Sequence, residues 1–129
     1  MIKGRNLDHL GMAVDNVEAA KEFYTTVLGG VIEGTFHCEG NDYPVYFIRV
    51  GKTLYEIYQE PVPADARGKI DHVAYVSEDI EKDYAFCCEQ GYTIATNGLE
   101  AIPTFWENGC RYFKILSPTG EQVEFSQKC

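Results

Sequence analysis

The sequence predicts an α+β fold made of two βαβββ modules, and three observations predict it. The stretch Leu7-Asp8-His9-Leu10 returns 63 residues later as Ile70-Asp71-His72-Val73. Each copy leads into a segment whose apolar residues fall at helical spacing. Each half then ends in a β-type stretch with a carboxylate at its centre, Leu54-Tyr55-Glu56-Ile57-Tyr58-Gln59 and Gln122-Val123-Glu124-Phe125-Ser126-Gln127, where the offset has become 68. Two such modules are expected to form a curved sheet around a concavity, with residues 1–60 and 70–129 as the repeats of a single domain.

The elements follow from period and punctuation. Residues 7–14 alternate as a strand does, and Asp15 or Asn16 can cap a helix carrying Val17, Ala20, Tyr24, Val27 and Leu28 on one side. Gly29-Gly30 ends that helix. β-Type stretches at 31–38 and 45–50 follow, and Gly51-Lys52 turns the chain into the Glu56 strand. Past the break at 61–68, the second half repeats the order with a strand at 70–76 and a helix from Asp79 to Gln90, stopped by Gly91. Strands are expected at 93–96, 112–116 and 122–126, and Ser117-Pro118-Thr119-Gly120 is the last turn, whose extra residues account for most of the growth in offset. The segment 99–109, with the only tryptophan, reads as an irregular loop.

Composition narrows the function. A chain of 129 residues buries roughly two thirds of the surface its unfolded form exposes, enough to fold without staples. Twenty acidic against eleven basic residues give a net charge of −9, which repels phosphate backbones and anionic membranes. Nucleic acid and membrane are therefore not expected as partners. The first residues lack an apolar core of signal-peptide length and no apolar run is long enough to span a bilayer, so the expected location is cytoplasmic. Five cysteines without a Cys-x-x-Cys pair fit a reducing compartment, and adjacent Cys87 and Cys88 read as small apolar filler of a helix.

Side chains alternate across a sheet, so Leu54, Glu56 and Tyr58 share one face, and Gln122, Glu124 and Ser126 another. His9 stands opposite Leu10 and Met12, and His72 opposite Val73 and Tyr75. One face of each half is apolar enough to take its helix, and the other carries an imidazole and a carboxylate. Two nitrogens and two oxygens suit a divalent transition metal. His37, the third histidine, has no counterpart in the second half and suits a strand edge or loop. Asp8 and Asp71 precede the histidines, but neighbours on a strand point to opposite faces, so neither is expected to reach its own histidine.

These residues resemble a known family. The order βαβββ twice, with His-Glu-His-Glu on equivalent strands, is similar to the vicinal oxygen chelate superfamily (glyoxalase, bleomycin resistance protein, dioxygenase) and within it to the glyoxalase I, or lactoylglutathione lyase, branch. The most specific parts are DHLGMAVDNVEAAKEFYTTVLGG, at the opening strand and helix, and SPTGEQVEFSQ, at the closing hairpin. The resemblance implies His9, Glu56, His72 and Glu124 as ligands of nickel or zinc, with cobalt, manganese or iron as further possibilities. It implies proton transfer between adjacent carbons of a hemithioacetal through an enediolate, with Glu124 as leading base and Glu56 able to take part by symmetry. Expected substrate contacts are Tyr58, Phe105, Trp106 and Arg111; Arg5, Arg49 and Arg67 are further cations for a thiol that carries carboxylates. A homodimer is also implied, with sites inside one chain or shared between two.

Three other readings share the scaffold. Methylmalonyl-CoA epimerase resembles a His-Gln-His-Glu pattern, against which Glu56 argues. Extradiol dioxygenases use two histidines and a glutamate on iron, and a fourth protein ligand would crowd them. A bleomycin-resistance type of binding protein would sequester a ligand without metal.

Overall fold

The computed structural model describes residues 2–60, 70–116 and 122–129, and among them eight strands and two α-helices alternate in the order of two βαβββ modules. The break at 61–69 and the turn at 117–120 lie outside the described residues. The chain divides into two compact units, one of residues 9–71 and the other of residues 1–8 with 72–129.

In the unit of residues 9–71, strand β1 (Leu7–Val14) leads to helix α1 (Val17–Glu22), and β2 (Val31–Phe36), β3 (Val45–Val50) and β4 (Thr53–Gln59) follow. Their order is β2-β3-β4-β1, with β1 parallel to β4 and the other pairs antiparallel. Apolar residues at alternate positions face the helix: Val14, Val17, Tyr46, Ile48 and Ile57 are buried together, with Met12, Ala20, Tyr24 and Tyr55 packed against them. Asn16 caps α1 by accepting from the Ala19 amide at 3.0 Å. The helix does not run on to Leu28 as one α-helix. It passes into a π-helical turn (Phe23–Val27), where Thr25 and Thr26 donate their hydroxyls back to the carbonyls of Lys21 and Glu22 at 2.8 and 2.6 Å. Gly30 lets the chain leave closely: a Cβ there would meet the Tyr24 carbonyl at 2.6 Å and Ile48 Cγ2 at 2.7 Å.

The other unit repeats the plan with β5 (Ile70–Val76), α2 (Ile80–Glu89), β6 (Glu100–Ile102), β7 (Cys110–Leu116) and β8 (Gln122–Lys128). Its order is β5-β8-β7-β6, again with one parallel pair, β5 and β8. Ile80, Cys87, Phe113, Ile115 and Phe125 form the core under α2. Cys87 fills that core while Cys88 is exposed, and burial, followed by the charge of Asp83, pushes the Cys87 thiol up to about 11. The repeat extends to the caps. Asp79 accepts from Lys82 N–H at 3.2 Å, and Gln127 accepts from Ile80 N–H at 3.0 Å just as Gln59 accepts from Val17 N–H at 3.1 Å.

Two sequence expectations need correction here. The second strand of this half is Glu100–Ile102, not 93–96, where Ile94 makes only an isolated bridge to Ile115. Hydrogen bonds donated by the Ala95 amide to the Lys114 carbonyl and by the Leu116 amide to the Thr93 carbonyl flank that bridge, and pairing resumes only past the turn at Gly98, where Glu100 lies across from Tyr112. The growth in offset also arises upstream of the last turn. Phe47 and Lys114, already 67 apart, lie across from Glu56 and Glu124, so most of the extra residues fall between α2 and β7.

The first residues pack with the second half. Asn6 accepts from the Val76 amide at 3.0 Å and Ile2 joins the core under α2. Arg5 Nη2 donates to Asp83 Oδ1 at 2.6 Å, while Ser77 Oγ donates to Asp83 Oδ2 at 2.6 Å. Asp83 is 4% exposed, so losing Arg5 would strand a buried carboxylate on one hydroxyl. Arg5→Ala is expected to destabilise the fold by about 2–3 kcal/mol. Thermal unfolding checks this, and an unchanged midpoint would show that Asp83 finds another partner.

Candidate functional site

Each unit aims one histidine and one glutamate from the face of its sheet that the helix leaves uncovered. Gly11 lies across from Glu56 in the β1–β4 pair, which puts His9 two residues earlier on the same side as that glutamate. His9 Nε2 is 3.7 Å from Glu56 Oε2. In the other unit Ala74 lies across from Glu124, and His72 Nε2 is 3.2 Å from Glu124 Oε2. Both histidines are 2% exposed and Glu124 is 5% exposed. Glycine or alanine at 11, 13 and 74 keeps these faces low around the polar groups, while bulkier Met12, Val14, Val73 and Tyr75 turn the other way.

The surroundings of the two pairs differ. Beside Glu56 stands Phe47, 1% exposed, whose ring meets the His9 imidazole edge-on at 5.5 Å and the Phe36 ring at 5.8 Å. Cys38 also senses this carboxylate: burial first, and the charge of Glu56 second, push its thiol up. Beside Glu124 stands Lys114, whose Nζ is 3.9 Å from Glu124 Oε2. Two residues along, Tyr112 donates its hydroxyl to Glu100. One pair thus has an aromatic neighbour and the other a cation.

Of the four expected substrate contacts, Tyr58 lies on the strand and face of Glu56. Its hydroxyl is hydrogen-bonded to Asp71, and burial, followed by the Asp71 charge, holds the phenol well above its ordinary value. Phe105 is 3% exposed in the segment between β6 and β7. Trp106 lies beneath the Lys128 ammonium, 3.7 Å from the ring centroid, with φ at +57°. That backbone costs a bulky residue roughly 1–2 kcal/mol. It is set in a tight bend, where a Cβ on Gly109 would meet Pro103 Cα at 3.0 Å. Arg111 alternates with Lys114 and turns toward α2, donating to Glu81 at 2.9 Å. Arg5 and Arg49 pair with Asp83 and Glu33, and Arg67 lies outside the described residues.

Lys114 and Asp71 were missed as site residues by reasoning from sequence. The signal for Lys114 was present in principle, because it faces Glu124 as soon as the register of the last hairpin is known. That register depends on how many residues the turn consumes, which composition does not state.

The donor set can be tested against a divalent cation by its chemistry. Bonds of about 2.0–2.2 Å place neighbouring ligand atoms about 3 Å apart around an ion. The separations of 3.2 and 3.7 Å, with imidazole nitrogen against carboxylate oxygen and nearly no solvent, fit neighbouring positions of such an ion in each half. No helix among the described residues is long and apolar enough to cross a membrane.

Comparison with known proteins agrees with this scaffold. The chain is 31% identical, over a gapped alignment of 135 positions that covers 96% of its own length, to "Uncharacterized protein YwbC" of Bacillus subtilis (strain 168), of which it covers 98%. Among solved structures, it matches a hypothetical protein of Bacillus halodurans C-125 at 23% identity and a TM-score of 0.77, covering 98% of this chain and 96% of that one. A methylmalonyl-CoA epimerase from Mycobacterium tuberculosis matches at 18% identity and a TM-score of 0.75, covering 95% and 87%. At these identities the structural matches establish the fold. The family model of the Glyoxalase/Bleomycin resistance protein/Dioxygenase superfamily matches residues 6–125, and the chain, with its two βαβββ modules, belongs to that superfamily.

Proposed function

We propose that His9, Glu56, His72 and Glu124 hold one divalent transition metal and that the chain is a metal-dependent lyase of glyoxalase I type, moving a proton between adjacent carbons of a hemithioacetal. The observation that carries this reading is the repetition of one buried pairing, imidazole Nε2 against glutamate Oε2, on equivalent strands of both halves. Strand pairing alone does not require such a pair, and burying it twice costs desolvation that a cation would offset. A bound divalent ion would polarise a substrate carbonyl and favour loss of the neighbouring C–H proton.

The protein groups divide the remaining work. Glu124 takes the proton and returns it to the adjacent carbon, since it is nearly solvent-free and flanked by His72 and Lys114. Glu56 is the symmetry-related carboxylate. Tyr58, kept protonated by burial and by Asp71, directs its one hydroxyl proton to that carboxylate and so offers a substrate an acceptor oxygen and the face of its ring. Phe36 and Phe47 keep water from the His9 side. The partner is a small molecule, and a homodimer is the proposed assembly.

Stripped protein reloaded with nickel or zinc is expected to turn over the hemithioacetal of methylglyoxal and glutathione, and to lose that activity when stripped again. Methylmalonyl-CoA belongs in the same assay. Metal uptake with epimerisation of the CoA ester but no hemithioacetal turnover would reassign the substrate, while a protein that takes up no metal would be a ligand-sequestering member of the superfamily.

A further inference from the structure

On the reading just given, we propose that Ser126, Tyr112 and Glu100 form a polar track, on the uncovered face of the unit that carries His72 and Glu124, which receives an ammonium group on the thiol part of the substrate. The track follows from register. Ser126 comes two residues after Glu124 on β8 and shares its face, Tyr112 lies directly across from Ser126 on β7, and Glu100 lies directly across from Tyr112 on β6. By the same registers the matching row of the other unit is Tyr58, Val45 and Phe36, so the scaffold accepts apolar residues in two of the three places. Polar groups there are not a requirement of the fold.

The charge of the track sits at its far end. Glu100 is half-buried, its carboxylate accepts from the Asn97 amide at 2.9 Å and from the Tyr112 hydroxyl, and among the described residues no cation pairs with it. Neutral donors hold a carboxylate less strongly than a cation does, and two of them leave acceptor capacity on its oxygens. Tyr112 spends its proton on Glu100 and keeps an acceptor oxygen. Ser126 is an independent sign of a ligand. The residue is 8% exposed, yet among the described residues its hydroxyl makes no hydrogen bond and is not sealed from solvent, so the oxygen opens onto the face where a ligand can reach it. Carboxylate, phenol and hydroxyl together offer acceptors to the hydrogens of an ammonium and repel a carboxylate. The arginines expected to meet a carboxylate-bearing thiol, Arg5, Arg49 and Arg111, pair instead with Asp83, Glu33 and Glu81, and Lys114, the cation of the neighbouring row, faces Glu124. Two residues along the strand and two strands across put Glu100 roughly 12 Å from Glu124, backbone to backbone. The ammonium therefore belongs at the end of a chain of several atoms and not next to the reacting carbonyl.

The test compares hemithioacetals of methylglyoxal with 6-aminohexanethiol, 6-mercaptohexanol and 6-mercaptohexanoate on the metal-loaded enzyme, in wild type, Glu100→Gln and Ser126→Ala. In wild type, kcat/KM for the amine is expected to exceed that for the alcohol about tenfold, as for one charge-assisted contact, and that for the acid by more. The ratio of amine to alcohol does not depend on how much of a variant is folded. It is expected to fall close to one in Glu100→Gln and to fall severalfold in Ser126→Ala. Equal use of amine and alcohol by wild type overturns the inference, and so does a ratio untouched in either variant. Turnover of none of the three overturns the lyase reading instead, and a titration with hexylamine then decides the track alone. Hexylamine is expected to shift the amide resonances of Ser126, Tyr112 and Glu100 in NMR spectra of the wild-type protein, with little shift from hexanol or in Glu100→Gln; equal shifts from both ligands would overturn the inference.

Discussion

Glu124→Gln is expected to abolish proton transfer while leaving part of the metal binding intact. Gln keeps the size and one oxygen donor of Glu, so packing at this 5% exposed position should hold. It cannot take up a proton at neutral pH, and removal of a positioned general base typically costs about 10²–10⁴-fold in rate. Exchange of the substrate C–H for deuterium, followed by NMR in D₂O, reads the lost step directly. Metal content measured on the same sample separates loss of the base from loss of the ion. If exchange continues unimpaired, Glu124 is not the base and Glu56 becomes the carboxylate to replace next.

The second large effect is expected from the histidines. His9→Ala and His72→Ala should each weaken divalent-metal affinity by about 100-fold or more, since even partners that merely orient a ligand cost 10–100-fold when removed. The losses should be comparable if both pairs serve one ion, as the matched burial of the two imidazoles suggests. Titration of the stripped variants with zinc against a competing chelator gives the two affinities. One variant that binds as tightly as wild type would mean that a single His–Glu pair holds the metal, and the four-ligand reading would fall. His72→Ala has an added consequence, because Glu124 would keep Lys114 at 3.9 Å but lose its neighbour at 3.2 Å.

Much of this was legible in the chain. The histidine strands, both helix starts, the hairpin at Gly51 and the two glutamate strands depend on local periodicity and on residues with strong backbone preferences, and these act over a few positions wherever the chain goes. The site face could be read because alternation on a strand admits only two sides, and the apolar residues claim one of them. The segment from 91 to 109 resisted the same reasoning. Thr93-Ile94-Ala95-Thr96 has β-type residues but pairs at one bridge only, whereas Glu100-Ala101-Ile102, with poorer propensity, makes the strand because Tyr112, Arg111 and Cys110 lie across from it. Arg111 shows the limit for side chains: its charge suggested a substrate contact, and one step of alternation sends it to Glu81.

The sequence by itself determined the duplicated plan and the identity of the four polar groups, because a repeat of His and Glu at matching offsets is written in residue order and needs no coordinates. Only tertiary structure decided what stands beside each pair. Phe47 at Glu56 and Lys114 at Glu124 are consequences of hairpin register, which is set by pairing across strands far apart in the chain. Packing likewise tied the first eight residues to the second half through Arg5 and Asp83, 78 positions apart.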